Sequence, residues 1–495
     1  MALFGKVQHV FLLLASSFLL LSKTASAPPE PVPDPHRGMY AIWSDSLDTT
    51  HMPFLVGGQV VLQWGEVQPA EGRYDFSTLR AQLEKLDRLG RVTSVQLNGN
   101  ALPAFMYAKV PHHPEALNVQ VRSRKGTLQY WHPYYIKAYT DLIAAFAREL
   151  KSSPYRSRVI GVRFNYNAIG TEGMIVMPNK RDPAQWIAPP GVTPAPAWTE
   201  EIATAYRHTV QQAYVKDFLP EIRVFMRPGV GGYPGPDQDA IRLAEKEGLG
   251  LFTTASEIEP RVPSMYERYN VFLGFCRPGK GVCYAESMAP ANGHHPGKDH
   301  ARWCAFEQYN YWRLLSDLNL GFSMIGITGE DLEQTGDPEF RAAFDFAARY
   351  AGYHASPSVS PGAWVALREG SLLLKGDYSF LMRRLDGVAM KPEQKIGPDD
   401  QRFGAWALTL PKGGEVKFAL DPAFAGSLKK ATVRVTYLDR GTGAFTLRTA
   451  GQEFQAKLTA TGRWKTAQFD ASHSPADIAI TADTLLTLHM VEVAR

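Results

Sequence analysis

Only three cysteines occur in 495 residues, and without matching His or Cys spacing they argue against a structural zinc site. After the N-terminus there is no run of about 18 uninterrupted apolar residues, so no membrane anchor is indicated. Charge of one sign is also scarce. Lys and Arg number 53 against 49 Asp and Glu, a net charge of +4, and no basic stripe marks a nucleic-acid surface. A Gly-rich phosphate loop after the first predicted strand is missing, as is a G-x-S-x-G elbow for esterase chemistry. The adjacent pairs His112-His113 and His294-His295, with His300, lack the i, i+4 spacing of a zincin helix and read as surface or substrate-binding loops. Internal repeats are not visible.

The composition is that of a globular protein, 45% hydrophobic and 21% charged. The length allows more than one domain. Lys6, the apolar stretch Phe11–Leu21 and the small residues Ala25-Ser-Ala27 have the layout of a cleavable signal peptide over residues 1–27. The apolar stretch is too short to span a bilayer, which takes about 20 residues. A secreted or periplasmic protein is expected, starting near Pro28 with a Pro-rich leader over residues 28–36. Cys276 and Cys283 could close a short disulfide loop in such a compartment. Cys304 reads as a buried small apolar residue.

Short apolar runs then alternate with amphipathic stretches. Strands are predicted at Gly38–Trp43, Gly58–Trp64, Val92–Leu97, Val159–Asn165, Ile222–Met226, Gly250–Thr254, Gly281–Ala285 and Ser323–Ile327. Helices are predicted at Phe76–Leu89, Pro133–Leu150, Thr199–Phe218, Asp237–Gly248, Asp299–Leu318 and Pro338–Tyr350. The first two strands are too close for a full helix between them. This alternation predicts an α/β fold, a (β/α)₈ TIM barrel over residues 37–356, with a doubly wound open sheet as the rival. Ser356-Pro-Ser-Val-Ser-Pro-Gly362 resembles a linker. Beyond it, residues 363–495 carry alternating patterns such as Ala431–Tyr437 and Ala444–Thr449, which predict a C-terminal antiparallel β-sandwich.

Chemistry in a barrel belongs to the carboxyl ends of its strands. Two strand ends carry a glutamate there, in Asn167-Ala-Ile-Gly-Thr-Glu172-Gly and in Cys283-Tyr-Ala-Glu286-Ser. They lie 114 residues apart, three β/α units of 38, and so share one face of the barrel. Either alone reads equally as a surface acid. Together they suit glycosidic cleavage, which needs one carboxyl to protonate the leaving oxygen and another to attack or stabilise the anomeric carbon. No metal or organic cofactor is required.

The run Trp64-Gly-Glu-Val-Gln-Pro-Ala-Glu-Gly-Arg-Tyr-Asp-Phe76 resembles the second strand and following turn of retaining glycoside hydrolases of the large (β/α)₈ superfamily, which includes β-galactosidases, cellulases and xylanases. The resemblance implies a proton donor after strand four and a nucleophile after strand seven, here Glu172 and Glu286. Thr171 stands where that family often has Asn; Asn167 could supply a similar amide from a different position or point its side chain into the barrel. The C-terminal segment resembles the accessory β-sandwich modules of secreted polysaccharide-degrading enzymes. Its aromatics Trp364, Phe403, Trp406, Tyr437 and Trp464 read as sandwich core and domain interface ahead of a binding platform.

A poly- or oligosaccharide partner also calls for rings and amides. Trp43, Asn98, Asn100, Asn167, Arg227 and Tyr284 lie at or near strand ends and are candidate substrate ligands. So are Glu330 and Asp331, which with Glu257 and Glu259 are also candidates to replace Glu286 in an inverting pair. Tyr130, Tyr134 and Tyr135 read as core, and Glu66 and Glu71, in the strand-two turn, as solvated or capping. The alternative function is a carbohydrate-binding protein on a barrel scaffold whose chemistry has decayed. A different sugar-active reaction, elimination or transfer, would use similar acids.

Overall fold

The computed structural model describes residues 32–44, 47–229, 235–256, 263–287, 305–369, 375–397 and 402–495, the side chains of 254–256 and 263–266 excepted. The predicted signal peptide, Cys304, Glu257, Glu259, His294, His295 and His300 lie outside these residues.

Eight parallel strands close into a barrel, each paired with the next and the last with the first. They are β1 (Gly38–Ile42), β2 (Leu55–Gln63), β3 (Val92–Asn98), β4 (Val159–Arg163), β5 (Val224–Met226), β6 (Gly250–Ser256), β7 (Cys283–Ser287) and β8 (Met324–Thr328). Their apolar, β-branched composition fits strands covered on both faces. Gly161 in β4 is required by crowding, since a Cβ there would lie 2.7 Å from the Phe225 ring and 2.8 Å from the Arg223 carbonyl.

The main helices are α1 (Ser77–Arg88), α2 (Pro133–Ser152), α3 (Glu200–Phe218), α4 (Gln238–Glu247), α5 (Pro263–Phe275), α6 (Phe306–Leu320) and α7 (Pro338–Tyr350). Local chemistry sets several ends. Pro133 and Pro338 open their helices, the Thr199 and Asp237 side chains cap α3 and α4, and Gly248 at φ 66° closes α4. Helix α5 was not predicted, because its sequence Pro-Ser-Met-Tyr-Glu-Arg-Tyr-Asn-Val-Phe-Leu-Gly-Phe has little amphipathic period. Strand β7 begins two residues later than predicted, so Glu286 lies within the strand rather than after it. No described helix is long and apolar enough to cross a membrane.

The C-terminal segment folds into two antiparallel sheets of seven and five strands. The predicted strands Ala431–Tyr437 and Ala444–Thr449 form as Ala431–Leu438 and Thr442–Thr449 and fall in different sheets. The linker-like stretch at 356–362 is firmly held: Ser356 and Ser360 are fully buried, and Arg495 Nε donates to the Ser360 carbonyl at 2.5 Å. A short helical turn, Pro422–Ser427, interrupts the strands.

The two units share a core. Residues 308–320 of α6 are buried on every side, between the barrel and the sheets, which explains its lack of a polar face. Trp312 meets Trp406 edge-on at 4.9 Å and His489 at 5.1 Å, and Phe346 of α7 packs on Trp364 at 5.6 Å. Trp364, Trp406, Tyr437 and Trp464 are all buried, in line with a core and interface role.

Two histidines at this interface couple folding to pH. Burial pushes the His354 and His489 imidazoles down to about 3, with Arg277 and Arg402 respectively adding to the effect. In the unfolded chain both titrate near 6.5. The stability from keeping them neutral is therefore full above pH ~6.5 and is lost as pH falls toward 3. Each unit of acidification costs about 1.4 kcal/mol per histidine. Urea midpoints should fall steadily between pH 6.5 and 5, before most carboxylates titrate, and the double variant His354→Gln/His489→Gln should lose that slope.

Candidate active site

Residue Trp43 follows β1 in a left-handed backbone conformation, φ 49°, which is uncommon for a large side chain. Gln59 Oε1 accepts its N–H at 3.2 Å and helps to hold the turn. Trp43 is 46% exposed, and its Nε1 donates to Glu286 Oε1 at 2.6 Å. Glu286 is buried near the end of β7. Its Oε1 also lies 3.5 Å from Nη1 of Arg163, the last residue of β4.

Arg163 is fully buried, over the rings of Phe252 at 5.8 Å and Tyr284 at 5.3 Å. None of its three guanidinium nitrogens has a hydrogen-bond partner among the described residues. A buried cation without hydrogen bonds is costly, so its charge depends on the Glu286 carboxylate.

Glu172 lies in the loop after β4, which doubles back on itself. Asn167 at φ 48° and Gly170 at φ 69° make the turns, and Ile169 N donates to the Gly173 carbonyl at 2.8 Å. Gln120 then fixes the tip, its Oε1 accepting from the backbone N–H groups of Thr171 and Glu172 at 3.1 and 3.0 Å. A Cβ on Gly170 would lie 2.6 Å from Gln120 Cβ, so the glycine is needed for this approach. The Glu172 carboxyl, 31% exposed, pairs with Arg227 Nη2 at 2.9 Å. Arg227 follows β5, is buried, and sits 5.0 Å over the same Phe252 ring. The Arg227 guanidinium holds the Glu172 carboxyl below the usual carboxylate range; burial pushes the other way, and Arg163 and Arg268 add to the lowering.

The two glutamates thus belong to one electrostatic unit at the carboxyl ends of β4, β5 and β7, joined through Arg163, Arg227 and Phe252. Of the side chains expected to bind substrate, Trp43 touches Glu286 and Arg227 touches Glu172. Asn100, half-buried, accepts from the Thr171 hydroxyl at 2.6 Å, so Thr171 links the loop to the strand-three end.

Other candidates are placed elsewhere. Asn98 is buried and accepts from Gln96 Nε2 at 2.6 Å and Asn165 Nδ2 at 3.1 Å. Asn167 donates to the Leu97 carbonyl at 3.0 Å and to Tyr139 at 2.9 Å. Both amides brace the barrel wall, because polar groups buried there need partners. Tyr284 is fully buried against Tyr40 and Phe225, one inward position before Glu286, with its hydroxyl pushed up to about 12 by burial. Asp331 is fully buried and paired with Arg313 at 3.2 Å. Glu330 is exposed on the turn after β8. Tyr130 and Tyr135 are core, Tyr134 is half-buried and bonded to Glu71, and His112-His113 forms half of a small ribbon.

Sequence reasoning missed Arg163, although a lone arginine ending the apolar run Val-Ile-Gly-Val-Arg is itself a sign. Phe252 and Gln120 carried no local sign, since what makes them matter is proximity in space. Cys276 and Cys283 are disulfide-bonded.

Residues 57–162, from β2 into β4, match a family model described as β-galactosidase, glycosyl hydrolase 42. Among solved structures, the β-galactosidase from Bacillus circulans sp. alkalophilus is 14% identical, with 64% of this chain and 56% of that one covered at a TM-score of 0.40. The cold-adapted β-galactosidase from Rahnella sp. R3 is also 14% identical, with 60% and 52% covered at a TM-score of 0.37. The chain thus spans about half the length of each. A C-terminal CBM6 module of the laminarinase LamC from Zobellia galactanivorans aligns at 10% identity over 23% of this chain and 99% of its own length, TM-score 0.18. No curated protein matches. From its second barrel strand into its fourth, the chain is similar to the β-galactosidase family of glycoside hydrolases.

Proposed function

We propose that the protein is an exported glycoside hydrolase that cleaves an oligo- or polysaccharide with retention of anomeric configuration. The observation that carries this reading is the convergence of Glu172 and Glu286 on one arginine-linked cluster at the barrel's carboxyl end. Glu286, oriented by the Trp43 indole N–H and Arg163, attacks the anomeric carbon. The bond from that carbon to the leaving oxygen breaks as Glu172 delivers its proton, leaving a glycosyl ester on Glu286. Water then gives a proton to Glu172 and attacks the same carbon, and the ester bond breaks to restore the Glu286 carboxylate. Trp43 is half-exposed beside the reacting carboxylate and offers a ring face for a sugar. The family match makes β-galactosides the first substrates to try.

Export rests on the sequence of residues 1–27 and suits the Cys276–Cys283 disulfide, which persists in oxidising compartments. The ion pair between Glu172 and Arg227 favours a second reading, a carbohydrate-binding barrel without turnover, because a paired carboxylate is a poor proton donor. Proton NMR of the first product formed from 4-nitrophenyl glycosides separates the cases. The retained anomer is expected; the inverted anomer would overturn the mechanism, and absence of product from every glycoside would favour the binding protein.

A further inference from the structure

A general acid must carry a proton, yet Arg227, 2.9 Å from the Glu172 carboxyl, favours its ionised form in the resting site. Drawing Arg227 away takes a competing anion, because its guanidinium is 8% exposed and a charge-assisted hydrogen bond there is stronger than a neutral one. We propose that the substrate itself carries an anionic group, a carboxylate or sulfate ester on the sugar at the cleavage site, which takes Arg227 in exchange for Glu172. The inference rests on the hydrolase reading above and adds the substrate class.

Four features of the site support it. Arg227 is held mostly out of water, where a charged hydrogen bond to a ligand gains most, and its Nε has no hydrogen-bond partner among the described residues. Its guanidinium rests 5.0 Å over the Phe252 ring, which leaves the plane of the fork to address an incoming anion in two-point fashion. Arg163, fully buried beneath with all three nitrogens unbonded among the described residues, adds positive potential to the same mouth. Arg268, whose charge also acts on Glu172, lies against Gly229, where a Cβ would come within 3.2 Å of its Cδ. Once Arg227 turns to the substrate, the Glu172 carboxyl loses its main stabilising partner and picks up the proton it must deliver. Neutral sugars would leave the pair closed.

The test uses the full chain with matched 4-nitrophenyl β-glycosides: galactoside, galacturonide and 6-sulfogalactoside, and the corresponding gluco series. In at least one series an anionic member should exceed the neutral one in kcat/KM by about 10–100-fold, the range of a charge-assisted hydrogen bond. Whether the uronide or the sulfate leads identifies the group. In Arg227→Gln the anionic-to-neutral ratio should fall by a similar factor, and with neutral substrate the alkaline limb of the pH profile should move up. Arg227→Lys, which keeps the charge without the fork, should give an intermediate ratio and serves if the Gln variant does not fold. A neutral preference in both series, or a ratio unchanged by both substitutions, overturns the proposal while leaving hydrolysis intact. If no glycoside is cleaved, the hydrolase reading fails by itself. Calorimetry with galacturonate and glucuronate against galactose and glucose then decides: tighter acid binding that Arg227→Gln abolishes supports the anionic site, and equal binding sinks it.

Discussion

Glu286→Ala should lower turnover by on the order of 10⁴-fold or more, the loss seen when a nucleophile that acts as a unit with its partners is removed. Glu172→Gln should cost several orders of magnitude as well, because its amide can neither give nor take the proton. Both variants should fold, with unchanged circular dichroism, and Glu286→Ala should have the lower urea midpoint, because the buried Arg163 loses the carboxylate that compensates its charge. Added azide distinguishes the roles. It should occupy the space vacated in Glu286→Ala and give the glycosyl azide of inverted configuration. In Glu172→Ala it should replace water against the glycosyl ester and give the retained one. Near-wild-type turnover in either variant would remove the assigned role. The environments are unequal: Glu286 is buried and held by Trp43 and Arg163, whereas Glu172 is 31% exposed.

Asp331→Ala should instead destabilise the fold by about 3–5 kcal/mol, the cost of leaving one charge of a buried pair uncompensated. Asp331 and Arg313 are both fully buried, and Arg313 further donates to Ser287 Oγ at 2.6 Å and Asn310 Oδ1 at 2.7 Å. Ser287 in turn donates to Asp317 Oδ2 at 2.6 Å, so the network ties the end of β7 to α6 and to the turn after β8. Ser287 follows Glu286, and neighbouring strand residues point to opposite faces. The network therefore lies behind the strand from which Glu286 reaches the site. Asp331→Asn should cost less, because its amide oxygen still accepts from Arg313. Denaturation in urea measures the effect. A raised KM with unchanged stability would instead restore Asp331 as a sugar ligand.

The barrel was legible because each of its units is locally coded. Val159–Arg163 is β-branched and short, Pro133 and Pro338 start helices, and Gly248 ends one. The prediction for α7 agrees with the structure at both ends, Pro338–Tyr350, because Asp337 and Pro338 mark its start without help from tertiary contacts. Where periodicity was erased, reading failed or gave less. Helix α5 was missed, and α6 shows no amphipathic face because its residues 308–320 are enclosed on all sides.

The site was half legible. A glutamate beside glycines at a strand end is a candidate that alone reads equally as a surface acid and gains weight from a second on the same face, and an arginine just past a strand, as Arg227 is, carries a similar mark. Asn98, Asn167, Tyr284 and Asp331 share that positional mark, yet they satisfy the interior rather than the mouth. Strand-end position fixes height along the barrel axis but not direction, and the choice between wall, interior and mouth depends on which neighbours can supply hydrogen bonds.

By itself, then, the sequence determined the alternation of strands and helices, the change to antiparallel sheets, and the two strand ends that carry Glu172 and Glu286. These follow from periodicity, caps and turns, which act over a few residues. Only the tertiary structure decided that Arg163 serves Glu286 while Arg227 restrains Glu172, and that the sheets share a core with α6 and α7. The two ion pairs join residues 55 and 123 positions apart (227 − 172 and 286 − 163), and charge and burial act through distance in space, which chain order does not record.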